Sequence, residues 1–365
     1  MRDFIILVAH FSNHDAVCND AVSIGEYLSK AGHNVFYFSP SADLNFRKPL
    51  ISRERFRDLA SLQQTIVIYE HCIYMASYSD LFSDARCQIW LRYQNITPPK
   101  FYDPYDSVAA HATRAGLAQT QELVADPRVS MFLPGSEFTA KDLVNFGAKR
   151  EKIEIIAPIS RVDDFDKCSV DQSTQQALTA NPKINNLLFV GRVVPNKGHK
   201  HLLQILKSYL ANHGPDVHLW IVGGLMKQYG KYYQELEETV NRNKLGSHVT
   251  FTGPVSFDAL HTFYKFSDVF LLMSEHEGFC VPITEAQYHG LPIVAVDHGP
   301  FQDAIGQDQL IVDHYDYPFL AAACARIKKD ETLRQTLSRA GKENLKLFRP
   351  AALNGKIGNV VARFS

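Results

Sequence analysis

The sequence predicts an α/β protein built from two doubly wound parallel-sheet domains, and three observations carry that reading. Short apolar runs of strand length recur along the chain and alternate with amphipathic stretches of helix length. The alternation starts twice, at residues 4–9 and again at 186–193, with a polar, Gln- and Ser-rich segment at 163–182 between the two series. The length of 365 residues suits about two domains. The runs are continuously apolar instead of alternating, which marks strands buried on both faces, as in a parallel sheet covered by helices.

Each element has its own signal. Residues 4–9 (FIILVA) predict the first strand. A helix follows over 16–31, with Val17, Val22, Ile24 and Leu28 on one side, and Gly32 stops it. Further strands are predicted at 34–38, 65–69, 87–91, 129–134 and 153–156. The segment 163–182 lacks an apolar period and reads as a surface connection. In the second half, strands are expected at 186–193, 217–222, 249–252, 269–273, 293–296 and 310–312. Helices are expected at 198–213, 229–245, 257–266 and 281–289, the last stopped by Gly290 with Pro292 just beyond. Three helical stretches close the chain, ending near 351–363. The predicted division is a first domain over 1–162, a linker over 163–184, a second domain over 185–348, and a final helix over 349–365 read as crossing back to the first domain.

Composition narrows the function. With 38 basic and 39 acidic side chains the formal net charge is -1, which argues against a general nucleic-acid binder. The six cysteines are scattered, with no C-x-x-C pair, so zinc-site spacing is absent. Cys280 and Cys324 lie in apolar surroundings and read as small core residues. The first apolar run is too short for a secretion signal and has no cleavage site. No stretch reaches the ~18 apolar residues needed to cross a bilayer. A reducing cytoplasm is the expected location. No G-x-G-x-x-G opens either half, which argues against a dehydrogenase.

Three segments at the ends of predicted strands in the second half carry candidate chemistry, since such ends line the ligand crevice of open α/β sheets. The first is Phe189-Val-Gly191-Arg192, followed by Pro195-Asn-Lys197-Gly198. Two cations beside a helix start form a diphosphate site; a basic surface loop reads from the same residues. The second is Glu277-Gly278-Phe279-Cys280-Val281-Pro-Ile-Thr-Glu285. Pro282 suits a first helical turn, so Glu277 precedes the helix and Glu285 lies about one turn inside. A carboxylate on that otherwise apolar helix needs hydrogen bonds, which ribose hydroxyls would supply. The backbone of Gly278, Phe279 and Cys280 would offer N–H groups to phosphate or sugar oxygens. The alternative is a capping Glu and a solvent-facing Glu. The third is Gly223-Gly224, which permits close ligand approach or makes a plain turn.

Together these segments resemble glycosyltransferase family 4. The run VGRVVPNKG (190–198), the Glu277-x7-Glu285 pair inside SEHEGFCVPITEA (274–286) and the order of strands between them carry the likeness. It implies the GT-B fold, two Rossmann-like domains around an interdomain cleft, and a retaining transferase that uses a nucleotide-sugar donor. Carried over residue by residue, Arg192 and Lys197 would bind the donor diphosphate, Glu277 the donor sugar and Glu285 the ribose. Pro254 and Val255 would pack beside the base. In the first half, YEHCIYMASYSD (69–80), RYQNITPPKFYDPYD (92–106), Arg114 and GSEFTAKDL (135–143) are similar to bacterial members that assemble cell-surface polysaccharides, including lipopolysaccharide; many of these transfer mannose. The likeness implies a hexosyltransferase, mannose favoured, acting on a saccharide or lipid-linked glycan. Relatives often have His-Asn-Ile-Thr-Pro where this chain has Gln94-Asn95-Ile-Thr-Pro98. The usual Gly-rich loop after the first strand reads His10-Phe-Ser-Asn-His-Asp-Ala16.

Several residues read two ways. His71 reads as a catalytic contact to sugar or acceptor, or as a core histidine. His10, Gln94, Asn95 and Arg114 are acceptor-side candidates. His276 would orient Glu277 or pack in the loop. The basic run Arg47, Lys48, Arg53, Arg55 and Arg57, with Leu50, Ile51 and Phe56, suits peripheral contact with an anionic membrane surface, or a solvated loop and helix. No metal and no cofactor beyond the nucleotide-sugar co-substrate is expected. The rival readings are a nucleotide-sugar epimerase and a non-catalytic nucleotide-sugar-binding subunit.

Overall fold

The structure is a computed structural model that describes residues 1–12 and 15–364. Asn13 and His14 of the loop after the first strand, and Ser365 of the closing segment, lie outside the described residues. The chain forms two compact units. One comprises Met1–Lys100, Val108–Arg161 and Phe348–Ser365; the other comprises Phe101–Ser107 and Val162–Leu347.

In the first unit, β1 (Asp3–Val8), β2 (Asn34–Phe38), β3 (Ile66–His71), β4 (Gln88–Tyr93) and β5 (Val129–Phe132) make a parallel sheet in the order β2-β1-β3-β4-β5. The helices are α1 (Ala16–Lys30), α2 (Arg53–Ala60), α3 (Tyr78–Leu81), α4 (Ser107–Ala125) and α5 (Glu137–Asn145). Local chemistry sets their ends. Asp15 caps α1 by accepting the N–H groups of Val17 and Cys18, and Ser136 with Thr139 makes a reciprocal capping box on α5. Ile5, Leu7, Val67, Tyr69, Ile89 and Leu91 form a core with Phe56, Phe82 and Leu143 on one face of the sheet. The expected strand at 153–156 is reduced to an isolated bridge between Ile153 and Phe132, with the N–H groups of Glu154 and Ile156 donating to the carbonyls of Phe132 and Pro134. Pro158 follows closely, and proline donates no ladder hydrogen bond.

The second unit has β6 (Asn185–Val190), β7 (Val217–Val222), β8 (Val249–Gly253), β9 (Val269–Leu272), β10 (Ile293–Val296) and β11 (Leu310–Val312), all parallel, in the order β11-β10-β9-β6-β7-β8. Its helices are α6 (Gln172–Thr179), α7 (His199–His213), α8 (Gly230–Arg242), α9 (Phe257–Phe266), α10 (Pro282–His289), α11 (Phe301–Ile305), α12 (Tyr317–Lys329) and α13 (Glu331–Leu345). The polar connection therefore contains a helix. Asp171 caps α6, and Leu178 is its buried residue, too little to give an apolar period.

Residues 101–107 fall in the first half of the sequence but pack within the second unit. Tyr102 stacks on Tyr229 at 5.6 Å and Tyr105 meets the edge of Tyr232 at 5.2 Å. The Tyr105 hydroxyl donates to Glu235 at 2.9 Å, and Lys200 donates to both, at 3.2 and 2.8 Å. Conversely the last helix, α14 (Pro350–Arg363), belongs to the first unit. Its Leu353, Ile357, Val360 and Val361 are buried, and Phe364 packs on Trp90 at 5.3 Å.

Candidate functional site

The strand order of the second unit reverses between β6 and β9, which pair directly although β7 and β8 lie between them in sequence. Loops leaving the carboxyl ends of such strands diverge and open a crevice. Here they are joined at one side. Gly198 closes the turn Pro195–Lys197 at φ 69° and starts α7. A Cβ at this position would lie 1.8 Å from the Met273 carbonyl oxygen, so only glycine lets the two loops approach. Buried Asn196 then ties them: its side-chain amide donates to the His276 carbonyl at 3.0 Å, and its backbone carbonyl accepts the Glu275 N–H at 2.9 Å.

That junction sets Lys197 against Glu277, with Nζ donating to Oε1 at 2.5 Å. Burial would lower the Lys197 pKa, but the Glu277 charge and hydrogen bond outweigh it and hold the ammonium above its ordinary value. The chain then reaches Cys280, a non-glycine residue at φ 75°. Burial, and after it the Glu277 charge, push the Cys280 thiol well up, so it is no ready nucleophile. The charges of Glu277, Lys197 and Glu285 all act on this thiol, which places them in one neighbourhood. Pro282 occupies the first turn of α10, and Gly290 ends the helix at φ 66°.

Glu285 is half-buried in the first turn of α10. The Tyr264 hydroxyl donates to its Oε2 at 2.8 Å. Burial raises its pKa and the tyrosine partly counters that rise. Arg192 is exposed, with Nη1 3.7 Å from the Met226 sulfur, and its charge reaches Lys197 and Tyr229. Gly223 has a packing reason: a Cβ there would lie 2.1 Å from the Gly191 carbonyl oxygen. Pro254 is exposed and Val255 half-buried, and the Pro254 ring lies 3.7 Å from where a Cβ on Gly224 would sit. Gly278 is half-buried, Phe279 is buried, and Val281 precedes α10. The result is an exposed guanidinium, a paired ammonium and two carboxylates around the start of one helix, an arrangement able to hold a polyanion and a polyol together.

In the first unit the candidates stand in different surroundings, although the Gln94 N–H donates to the His71 carbonyl at 3.0 Å. His71, read as a catalytic contact or as a core histidine, has the surroundings of the second. It is fully buried on β3, with Nε2 2.8 Å from Thr120 Oγ1 and Nδ1 3.2 Å from the Tyr69 hydroxyl. Thr120 donates its own proton to the Gly116 carbonyl, so Nε2 of His71 carries the hydrogen and Nδ1 accepts. Burial pushes its pKa down to about 3. His10 is exposed after β1 and contacts Ser41 at 2.9 Å and Asp43 at 3.2 Å. Gln94 is half-buried after β4, and Asn95 follows it in the left-handed region at φ 60°. Arg114 is exposed on α4.

The basic run is largely spoken for. Lys48 pairs with Glu26 at 2.8 Å, Arg53 and Arg57 both pair with Asp80, and Phe56 is fully buried in the core. Among the described residues, no helix is long and apolar enough to cross a membrane. Nor do three or more His, Cys, Asp or Glu side chains group to hold a metal among those residues. The triplet Asp164-Phe165-Asp166 serves packing: Asp164 pairs with Lys167, Asp166 accepts from Tyr288, and Phe165 stacks on Phe257 at 4.6 Å. Sequence reasoning missed Asn196 and Tyr264. The first stood inside the PNKG run; the second had no signal, because an isolated tyrosine in α9 reads as core.

Residues 170–344 match the family model described as glycosyl transferases group 1. The mannosylfructose-phosphate synthase of Agrobacterium fabrum is 31% identical over 204 residues, covering 54% of this chain and 44% of that one. The lipopolysaccharide core biosynthesis glycosyltransferase of Rhizobium meliloti is 28% identical over 217 residues, 56% of each chain. This chain spans about half the length of the curated relatives it matches. Anabaena HepE, solved in complex with UDP and glucose, is similar over 100% of both chains at a TM-score of 0.75 and 16% identity. The sucrose-phosphate synthase of Thermosynechococcus elongatus gives a TM-score of 0.75 at 20% identity, over 100% of this chain and 99% of that one. Both likenesses show the fold: two Rossmann-like parallel-sheet domains of the GT-B class.

Proposed function

We propose that the chain is a group 1 glycosyl transferase, the family whose model residues 170–344 match, and that it is a retaining hexosyltransferase using a nucleoside diphosphate sugar. The carrying observation is the Lys197–Glu277 pair at the reversal of the second sheet, with Arg192 exposed beside it. Arg192 and Lys197 take the donor diphosphate, Glu277 the sugar and Glu285 the ribose, with Pro254 and Val255 beside the base. Mannose is the first donor sugar to test, a choice supported by the relative named mannosylfructose-phosphate synthase. The acceptor in this reading is a saccharide or lipid-linked glycan, supported by the relative named for lipopolysaccharide core biosynthesis.

The reaction breaks the bond between the anomeric carbon and the diphosphate oxygen and forms one to the acceptor oxygen on the same face. The acceptor proton passes to the departing phosphate. Negative charge grows on that phosphate, and the fixed cations Arg192 and Lys197 stabilise it without reorganising; the reading assigns this task to them and to no metal ion. The test compares UDP-glucose and GDP-mannose for hydrolysis and for transfer to methyl α-mannoside, with wild type and Arg192→Ala. Turnover by wild type and its loss in Arg192→Ala, at an unchanged melting temperature, is the expected result. Equal turnover in both proteins removes the diphosphate assignment.

A further inference from the structure

The second unit holds a cleft that the proposed reaction does not use. It lies where α9 and α10 end, beside residues 267 and 268, which lead into β9, and residues 290–292, which lead into β10. The strands of this sheet are parallel, so the cleft sits at their amino ends, whereas Lys197 and Glu277 follow the carboxyl ends of β6 and β9. Its volume is about 560 Å³, within the range of about 300–1,000 Å³ usual for a small-molecule site.

Helix α13 makes the wall. Its Leu337, Gly341 and Leu345 are buried, and the helix packs against α10. Gly290 permits that closeness, since a Cβ there would lie 2.4 Å from Ser338 Oγ and 2.6 Å from Lys342 Cε. The polar face of α13 lines the cleft, and the charges there do not balance. Each acid that lines it is already met by a cation: Glu331 by Arg334, Glu343 by Lys346 at 2.6 Å, and Asp268 by Lys328 at 2.9 Å. Lys265, Arg339 and Lys342 line it too, and none of the three has an ion pair among the described residues. The charges of Lys265 and Lys342 both act on His289, which also lines the cleft, so cations from α9 and α13 converge there. Burial pushes that imidazole down to about 4, so it is neutral at pH 7. The Ser267 hydroxyl lines the same cleft, is buried, and has no hydrogen-bond partner among the described residues. Buried polar atoms in folded proteins are rarely left so.

We propose that this cleft binds a small phosphorylated metabolite, with Arg339, Lys342 and Lys265 holding its phosphate groups and Ser267 donating to a phosphate oxygen. A guanidinium takes phosphate oxygens in pairs, and ammonium groups add compact charge. An anion relieves the mutual repulsion of three cations that have no acid beside them. A bare phosphate would leave most of the volume empty, and Leu291 and Pro292 offer an uncharged surface to the body of the molecule. The site stands apart from the glycosyl-transfer reading and does not rest on it.

Inorganic pyrophosphate is the first probe. It also suits the diphosphate site assigned to Arg192, so calorimetric titration is made with Arg192→Ala protein. We expect that protein to bind pyrophosphate. Adding Arg339→Gln and Lys342→Gln should weaken binding about tenfold or more, at an unchanged melting temperature because both side chains are exposed. Adding Arg339→Lys and Lys342→Arg instead should keep it. No binding to the Arg192→Ala protein, or equal binding with and without the paired glutamine changes, overturns the proposal. Ser267→Ala should weaken binding about tenfold, the loss of one hydrogen bond to a charged group; an unchanged affinity overturns the part given to the hydroxyl. Fructose 1,6-bisphosphate, which sets a sugar between two phosphates, should bind more tightly than pyrophosphate, and weaker binding overturns the assignment to a phosphate ester. Crystals grown with sodium tungstate locate the anion directly. Anomalous density beside Arg339 and Lys342 is expected, and a cleft without it overturns the inference.

Discussion

Lys197 and Glu277 lie 80 residues apart in sequence and 2.5 Å apart in the structure. Each is mostly shielded from solvent, with side chains 20% and 10% exposed. Removing one partner from such a pair strands the other charge. Lys197→Met should therefore cost about 3 kcal/mol of stability, read as a lower urea midpoint at unchanged slope. Adding Glu277→Gln should recover much of that stability without recovering turnover. A single variant as stable as wild type would show that the pair is solvated.

Gly198→Ala tests the junction beneath that pair. The new methyl would collide with the Met273 carbonyl, and the left-handed backbone adds a further penalty of about 1 kcal/mol. We expect a melting temperature lower by several degrees, with UDP affinity falling alongside. A variant that melts like wild type would mean that the two loops are free to part.

Tyr264→Phe tests the support of Glu285. The tyrosine hydrogen bond is a cause that lowers the Glu285 pKa against the rise from burial. Without it the carboxyl takes up its proton at a higher pH. UDP binding that depends on the carboxylate should then weaken, and should fade at a higher pH than in wild type as the solution is acidified. Calorimetric titration with UDP from pH 8 to pH 5 checks this, and superimposable pH profiles would contradict the ribose assignment.

His71 gives an acid-stability prediction. Its folded-state pKa is depressed to about 3 by burial, below the ordinary 6.5. Between those values the unfolded chain binds a proton that the folded chain does not, so this residue's contribution to stability falls as pH drops below about 6.5. His71→Gln, which can still bond to Thr120 or Tyr69, lacks this effect. Relative to that variant, wild type should lose about 2 kcal/mol between pH 7.5 and 5, measured by urea unfolding at each pH. A constant difference would mean that the imidazole titrates normally.

The sheet strands were legible because a strand buried on both faces is a continuous apolar run, and the second half showed all six. Residues 153–156 had the same appearance and do run beside the end of β5, where the N–H groups of Glu154 and Ile156 donate to the carbonyls of Phe132 and Pro134, but β5 stops at Phe132 and only Ile153 forms a bridge. The motif residues Arg192, Lys197, Glu277 and Glu285 could be named because glycine and proline fix the turns around them. Lys265, Arg339 and Lys342 could not, since a charged residue on an amphipathic helix discloses nothing of what it faces. His71 was ambiguous for the same reason, and Thr120, which settles it, lies 49 residues away.

The excursion of residues 101–107 bears on how this polypeptide can be divided. A fragment running from residue 162 to 347 would retain every strand of the six-stranded sheet. It would also uncover the faces of Tyr229 and Tyr232 and deprive Glu235 of its tyrosine hydroxyl. The chain passes between the two units four times, at 100/101, 107/108, 161/162 and 347/348, so cutting at the last two does not yield an independent half, and expression of that half alone would require the heptapeptide to be supplied, in trans or by grafting.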